Sequence, residues 1–515
     1  VPVQVNGQDI LGWELRTTQW GGQRPHMVIR RDQLPEGIST TQYQWGGGRY
    51  PYNGGTTWNS GAQWANSSQE GSGYTYNSTS TQQYPQYQTA MGMGQPLEPG
   101  SYYIGFYNTS ASVTSSYTFA SSTIGSGMTY EVPSIAFDGG SAAVTNLSAH
   151  GVAYFAVDVP TNQASWKIKL ENTSGETMVY ARKDFVPTIG MGYSTYNSPV
   201  TSLARLQKTG DEHYVLLPEY NENELQAGTY YLMVVSAGQS PGSSNIGTGT
   251  SSAVLHSLGE AAVTDLGTLP QAGELSQVDS YLAGENNLYQ FTVPEGVLAM
   301  EVRLENRMGD PHMHLRKGTL FSRSYQVSWG YTGLYSGHTA DDNDETLITV
   351  ANPAAGTYSL QVTDLNTLAS LADGSYTLRI VTVGATDIAF DGGGAAGVTL
   401  QPNSWKYYRV TVPATEGGQP VIGWELRTSQ WSGERPHMVI RRDELPEGTT
   451  TTQYQWGGGR FPYQLASTAW NSGAQWTVSG QDWPGYYYDP TSPQAYPQYQ
   501  LSMGMRRPLE PGSDD

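Results

Sequence analysis

The amino-acid sequence predicts an all-β protein made of tandem antiparallel β-sandwich domains, jelly-roll-like and arranged in a linear array. Three observations lead to this prediction: apolar and polar residues alternate along short segments, glycine-rich turns separate these segments, and helical periodicity is nearly absent. Apolar residues occupy every second position in Met300–Glu305, Trp166–Glu171 and Tyr358–Thr363. Each such strand is therefore expected to bury one face and to expose the other.

The composition limits the classes of protein that this chain can represent. Its 515 residues suffice for about three to five domains. The net charge of −19 argues against binding to nucleic acid, no apolar run is long enough for membrane insertion, and the lack of cysteine excludes disulfides and thiolate metal sites. Charged residues make up only 14%, and 36 Tyr and 14 Trp stand against 9 Phe. We therefore expect an extracellular or cell-surface β-protein.

A long internal repeat links the two ends of the sequence. Gly12–Thr17 returns as Gly423–Thr428, 411 residues later, and Arg24–Asp32 returns as Arg435–Asp443. Several shorter matches follow at nearly the same distance. The first ~100 residues and the last ~100 are thus near copies of each other.

A shorter repeat of 128 residues carries a Gly-Ser/Thr-Tyr strand signal, at 100–102, 228–230 and 356–358. Together the two repeats predict four sandwich units, which we name A (1–133), B (134–256), C (257–384) and A′ (385–515). By alignment, unit A is expected to lack its first strands and unit A′ its last, as in a window on a longer array. Strand donation by a neighbouring copy is one hypothesis for how such units are completed.

Unit C carries four segments that point to a known family: Tyr289–Pro294, Gly309–Leu315, Pro353–Val362 and Gly374–Leu378. In sequence and order they resemble the bacterial pre-peptidase C-terminal domain, and units A and B resemble it more loosely. The resemblance implies a non-catalytic β-sandwich of secreted bacterial proteins, which serves attachment, secretion or assembly.

Units A and A′ contain an aromatic insertion, at 38–98 in unit A, that units B and C lack. Its candidate contact residues are of the types that anchor interfaces: Trp45, Arg49, Trp58, Trp64, Tyr84, Tyr87, Trp456, Arg460, Trp470, Trp476, Tyr496 and Tyr499. Three interpretations stay open at this point. These residues can contact a neighbouring unit or chain, bind a glycan by stacking on its sugar rings, or fill a local core under a long loop.

The densest acidic cluster lies in unit C and makes calcium the candidate metal, through the oxygen ligands of Asp310, Asp341, Asp342 and Asp344. His312 and His314, two residues apart on one strand, form with His338 an alternative set for a softer metal. A solvated acidic loop explains the same residues without any ion. Neither cluster recurs in unit A, where Arg24 stands near the position of Asp310.

The sequence holds no zinc-protease, serine-hydrolase or dinucleotide motif, and we therefore predict that the chain is not an enzyme. No cofactor is predicted apart from the calcium candidate. The near-copy repeats and the aromatic insertions favour a structural extracellular repeat protein, which forms or decorates a filament, stalk or sheath. Its predicted partners are copies of itself and, as a second candidate, a glycan. The main alternative is an adhesin or carbohydrate-binding accessory region of a large secreted protein or peptidase.

Overall fold

A computed structural model gives the fold. It describes residues 2, 4–22, 26–31, 34, 44–45, 63–68, 86–92, 100–108, 110–149, 151–184, 186–187, 204–206, 210–218, 222, 224–239, 249–282, 285–309, 311–318, 334–337, 346–364, 373–401, 404–421, 423–429, 445, 476–480, 498–503 and 512–514. All elements of regular secondary structure among these residues are β-strands. Their sheets are antiparallel apart from two parallel pairs at sheet edges. This confirms the predicted all-β fold of tandem sandwiches.

The residues of unit A form the first nine described strands. They are β1 (Gln4–Val5), β2 (Gln8–Asp9), β3 (Gly12–Gly22), β4 (His26–Arg31), β5 (Gln44–Trp45), β6 (Gln63–Ser68), β7 (Gln86–Gly92), β8 (Tyr102–Tyr107) and β9 (Ser115–Ile124). β1 and β2 form a hairpin, whose turn residues Asn6 and Gly7 both adopt a positive φ. The other strands form two sheets, in the orders β6-β7-β3-β9 and β5-β4-β8.

Unit B shows the sandwich in its plainest form. Its strands are β10 (Asp138–Ser148), β11 (Val152–Val159), β12 (Trp166–Ser174), β13 (Glu176–Lys183), β14 (Ala204–Leu206), β15 (Glu212–Leu216), β16 (Gly228–Gly238) and β17 (Thr250–Leu258). The sheet orders are β10-β17-β12-β15 and β11-β16-β13-β14. If these strands are counted as positions 1 to 8, the orders are 1-8-3-6 and 2-7-4-5, which is the strand pairing of a jelly roll.

Unit C repeats this order and adds one strand before it. Its strands are β18 (Val263–Thr268), β19 (Glu274–Tyr281), β20 (Asn286–Val293), β21 (Ala299–Met308), β22 (Pro311–Lys317), β23 (Leu334–Gly337), β24 (Thr346–Ala351), β25 (Gly356–Asp364) and β26 (Gly374–Val383). The sheets are β19-β26-β21-β24 and β18-β20-β25-β22-β23. β19 to β26 therefore occupy positions 1 to 8, and β18 pairs in parallel with β20 at position 2.

Unit A′ repeats part of the strand pairing of unit A. They are β27 (Ala385–Asp387), β28 (Tyr407–Val412), β29 (Thr415–Glu416), β30 (Gln419–Pro420), β31 (Trp424–Ser429), β32 (Trp476–Gly480), β33 (Gln498–Met503) and β34 (Gly512–Asp514). The sheet orders are β27-β28-β34, β29-β30 and β31-β33-β32. Trp424 lies opposite Met503 as Trp13 lies opposite Met91, so the near-copy sequences give the same register. The unit boundaries themselves stay a prediction.

A tryptophan–serine hydrogen bond links position 3 to position 8 in the described sandwiches of units A and B. Trp166 is fully buried, and its Nε1 donates to Ser257 Oγ at 2.8 Å. In unit A, Trp13 Nε1 donates to Ser121 Oγ at 2.7 Å. In unit B the indole of Trp166 fills the space between the two sheets, where it contacts Tyr230 edge to face. The bond satisfies the one polar atom that the buried ring brings inside.

We expect Trp166→Ala to lower the free energy of unfolding of unit B by about 3–5 kcal/mol, because it leaves a large cavity in the core. Trp166→Phe keeps most of the ring but loses the hydrogen bond to Ser257, and we expect a loss of about 1 kcal/mol beyond its smaller volume change. Urea unfolding followed by far-UV circular dichroism measures both. Equal losses for the two variants would contradict this account.

Candidate functional site: the junctions between units

The structure gives part of the aromatic insertion a stranded backbone. Trp45 lies on β5, Trp64 on β6 and Tyr87 on β7, while Trp476 lies on β32 and Tyr499 on β33. β6 extends the sheet of unit A by a strand beyond the eight jelly-roll positions, and β32 does the same in unit A′. The remaining predicted contact residues lie outside the described residues: Arg49, Trp58, Tyr84, Trp456, Arg460, Trp470 and Tyr496. The three interpretations of the insertion all stay predictions.

The predicted calcium ligands also lie outside the described residues: Asp310, Asp341, Asp342 and Asp344. Within the part of the chain that the structure describes, no group of three His, Cys, Asp or Glu side chains is placed to hold a metal. Calcium binding by unit C therefore stays a prediction.

Two histidines on β22 share the outer face of their sheet and are buried there. His312 and His314 are each 8% exposed, and His314 lies opposite Gln361 on β25. Burial and, to a smaller extent, the neighbouring His312 lower the pKa of His314 to about 4. His314 is thus a neutral, buried side chain near pH 7.

The junction between units A and B is an apolar interface. The outer face of the β11-β16-β13-β14 sheet carries buried residues that alternate along the strands with those of the core. They are Val152, Tyr154, Ala156, Met178, Tyr180, Tyr231, Met233, Val235 and Ala237. Ile124 at the end of β9 is fully buried in the same cluster, and Leu11, Tyr130 and Val132 pack against it. This face of unit B is therefore buried, and residues of unit A contribute to covering it.

Close packing at this junction requires a glycine and encloses a cation. A Cβ atom built on Gly12 would lie 2.8 Å from Val186 Cγ2, so a larger residue would force the side chain of Val186 or the backbone beside it to shift. Arg182 is on the outer face of β13 and is completely buried, and this burial lowers the pKa of its guanidinium to about 10. Unit A thus packs on unit B without a layer of solvent between the two units.

Each linker between units adds to the edge of the next sandwich in the same way. After unit A, Ile135 N donates to Ala156 O at 2.9 Å and Ala156 N donates to Pro133 O at 3.0 Å, which sets the linker parallel to β11. β18 pairs in parallel with β20, and β27 pairs in parallel with β28. The linkers therefore cover the exposed edge of the strand at position 2 in units B, C and A′.

The junction between units B and C is smaller and combines apolar and charged contacts. Val215 and Leu217 of unit B pack with Ala261 and Leu288 of unit C, and all four are buried. Ser165 Oγ accepts a hydrogen bond of 2.9 Å from Ala261 N. Val215 lies on β15 and Leu288 on β20, so the contact joins the outer face of β15 in unit B to the outer face of β20 in unit C.

A charge cluster completes this junction. Glu285 of unit C lies 2.7 Å from Lys167 Nζ and 3.3 Å from His213 Nδ1, both of unit B. The hydrogen bond with His213 is the largest cause that lowers the pKa of Glu285, and hydrogen bonds with Lys167 and with the backbone N–H of Leu282 add to it. Together they lower this pKa to about 2, although burial of the carboxylate acts in the opposite direction. The carboxylate of Glu285 is thus held ionised between the two units.

Units C and A′ meet around aromatic rings. Ala299, Tyr407 and Leu445 are buried together, and Trp405 stacks on Tyr407 with ring centroids 5.7 Å apart. Asn352 Nδ2 donates to Leu445 O at 3.1 Å. Burial raises the pKa of Tyr407, so its hydroxyl stays protonated at physiological pH.

Sequence reasoning missed these junction residues, although one signal for them was present. Tyr230–Val235 is a continuous apolar run without alternation. Such a run predicts a strand with both faces buried, and β16 is buried on both faces. The charge cluster of Glu285 had no comparable signal, because its members are far apart in the sequence.

No family model matches the sequence, and no curated protein matches it. Among solved structures, the chain is similar to the CUB1-EGF-CUB2 region of human MASP-1/3, with 9% identity over 47% of this chain and 98% of that one and a TM-score of 0.13. It is similar to the M60 catalytic domain with two CBM51 domains of Clostridium perfringens ZmpB, with 8% identity over 47% and 34% of the two chains and a TM-score of 0.13.

A third similar structure is a candidate secreted protein from Eubacterium rectale, with 9% identity over 45% of this chain and 70% of that one and a TM-score of 0.12. At TM-scores this low, the three similarities carry no argument about family or function. In the described residues, no helix has the length and apolar character needed to cross a membrane.

We expect Met233→Asp to separate unit A from unit B, because it places a carboxylate in the apolar junction at a cost of about 3 kcal/mol or more. Scanning calorimetry should show a new transition at lower temperature, and limited proteolysis should cut the linker near residue 133. Met308→Asp is the matched control, because Met308 is 67% exposed. Unchanged calorimetry and proteolysis of Met233→Asp would show that the junction does not couple the units.

We expect Glu285→Gln to destabilise the junction of units B and C in a pH-dependent manner. The folded pKa of about 2 lies below the ordinary 4.5, so the ionised carboxylate stabilises the junction above pH 4.5, and this contribution is lost as the pH falls from 4.5 to 2. Urea unfolding should show a lower free energy of unfolding for Glu285→Gln than for the wild type at pH 7. At pH 2.5 this difference should be smaller. Glu416→Gln, at an exposed position, is the control. A difference that is constant with pH would contradict the charge contacts.

Proposed function

We propose that this chain is a non-catalytic structural repeat protein, located outside the cell or on its surface, that forms or decorates a filament, stalk or sheath. The junction of units A and B carries the proposal. Residues of β11, β13 and β16 on one face of unit B are buried there together with Ile124 of unit A, so an apolar interface joins the two units. Such packing transmits orientation and load along a chain.

The sequence supports the same proposal from two directions. A 411-residue repeat places a near copy of unit A beyond unit C, as expected for an array built from a repeating set of units. Unit C resembles the bacterial pre-peptidase C-terminal domain, which implies a secreted bacterial protein and a role in attachment, secretion or assembly. The tyrosine-rich composition, with only 14% charged residues, suits an extracellular surface.

Contacts between chains extend the array in this proposal. Copies that meet through two different surfaces form a heterologous contact, and a heterologous contact that does not close into a ring generates a filament. The aromatic insertions of units A and A′ are the candidate surfaces for these contacts, since Tyr, Trp and Arg are the usual anchors of interfaces.

The purified chain should form elongated particles or fibres in negative-stain electron microscopy, and denaturing gels should show a 56.0 kDa chain. Met233→Asp should shorten or kink these particles, because it releases unit A from unit B, while Met308→Asp should leave them unchanged. Discrete, compact particles of single chains at all concentrations would overturn the structural proposal.

A glycan-binding accessory role is the second candidate, favoured by the strands that the aromatic insertion adds to the sheet of unit A. Trp64 on β6 and Tyr87 on β7 place two aromatic residues on neighbouring strands of one sheet edge. Isothermal titration with soluble polysaccharides would test it, with Trp64→Ala as the variant and Trp405→Ala in the junction of units C and A′ as the control.

A further inference from the structure

The outer face of the β18-β20-β25-β22-β23 sheet of unit C differs in chemistry from its counterpart in unit B. The ladder of β22 with β25 aligns with that of β13 with β16, because each ends on a lysine opposite a buried tyrosine. In this alignment His312 takes the place of Met178, and His314 takes the place of Tyr180. Two histidines therefore lie where unit B has two residues of its apolar junction with unit A.

This pair of histidines is not a requirement of the fold. In unit A the ladder of β4 with β8 ends on Arg31 opposite Tyr102, and the same alignment gives His26 and Val28 at the two positions. Unit A thus has one histidine there, and unit B has none. The sandwich forms with any of these residues, so the pair in unit C requires an explanation of its own.

The burial of His314 has a cost in free energy. The residue is 8% exposed, and neither of its ring nitrogens has a hydrogen-bond partner among the described residues. Each buried polar atom that is left unsatisfied costs about 1–3 kcal/mol. Gln361 lies opposite His314 on β25, but its amide N–H donates to Asn286 Oδ1 on β20. Ordered water and bound ions are the usual partners of such atoms in native proteins.

The spacing of the two histidines suits the binding of one ion by both rings. Residues two apart on a strand lie on the same face, about 6.6 Å from each other along the chain. An imidazole nitrogen binds zinc at about 2.0–2.1 Å, so two rings that turn toward each other can share an ion. His312 and His314 are close enough to interact electrostatically, and both are buried.

We propose that His312 and His314 together bind a divalent transition-metal ion such as zinc. Each contributes one ring nitrogen, and water molecules fill the remaining coordination positions. Zinc, copper and nickel bind imidazole well, whereas calcium requires oxygen ligands, so this site is distinct from the calcium candidate of unit C. His338 lies outside the described residues and is not part of the proposal. The metal site does not depend on the proposed function.

Arg316 allows the metal to be distinguished from an anion. It is the next residue on this face of β22, and its Nη1 is buried without a hydrogen-bond partner among the residues that the structure describes. A guanidinium repels a metal ion and attracts an anion such as sulfate. The metal is favoured because two imidazoles at this spacing offer two nitrogen ligands. Arg316→Gln should therefore strengthen a metal site, whereas it should abolish an anion site.

Isothermal titration of the whole chain with zinc chloride, after treatment with EDTA, tests the site. We expect His314→Tyr to weaken zinc binding by about tenfold or more, equivalent to about 1.4 kcal/mol, because it removes one of the two protein ligands. The variant should fold, since Tyr180 is completely buried at the same position of unit B. Far-UV circular dichroism checks this. Cobalt(II) in place of zinc should give visible absorption bands that His314→Tyr lacks.

Two further variants serve as controls. His256→Ala removes a partly exposed histidine of unit B that contacts Glu171, and it should bind zinc as the wild type does. Arg316→Gln should bind zinc at least as tightly as the wild type. A parallel titration with sodium sulfate tests the anion.

Each outcome decides for or against the metal site. Zinc binding that is weakened in His314→Tyr and retained in both controls would support it. No zinc binding by the wild type, or equal binding by the wild type and His314→Tyr, would overturn it. Sulfate binding that Arg316→Gln abolishes, without any zinc binding, would also overturn it and would identify the face as an anion site.

Discussion

The burial of both faces of β16 is the constraint on which the arrangement of units A and B depends. Tyr230, Leu232 and Val234 point into the core of unit B, whereas Met233 and Val235 lie in the contact with unit A. A strand that is apolar on both faces cannot leave either face in water without a large loss of hydrophobic free energy. Unit B therefore requires a neighbour on one side, and its own core and its junction share one element.

The three junctions differ in the forces that hold them. The contact of units A and B is mostly apolar and covers a sheet face, so it responds little to salt or pH. The contact of units B and C is small and relies in addition on Glu285, whose ion pairs are partly shielded from solvent. Under acid or load, the B–C junction is thus expected to open before the A–B junction does, since a smaller apolar area supports it.

The sequence predicted the fold because its local signals agree with the global one. Period-2 alternation in Met300–Glu305 and Trp166–Glu171 corresponds to strands with one buried face, and the repeats predict equal topologies in successive units. The junctions escaped prediction for two reasons. The run Tyr230–Val235 obeys no alternation, and contacts such as Lys167 with Glu285 join residues that only the tertiary structure brings together.

The aromatic insertion illustrates a different limit. Trp64 and Tyr87 were identified by composition alone, and composition does not distinguish an interface from a local core. In a repeat protein each unit is a control for the others, and it was the comparison of unit A with units B and C that identified β6 as a strand added to the sandwich.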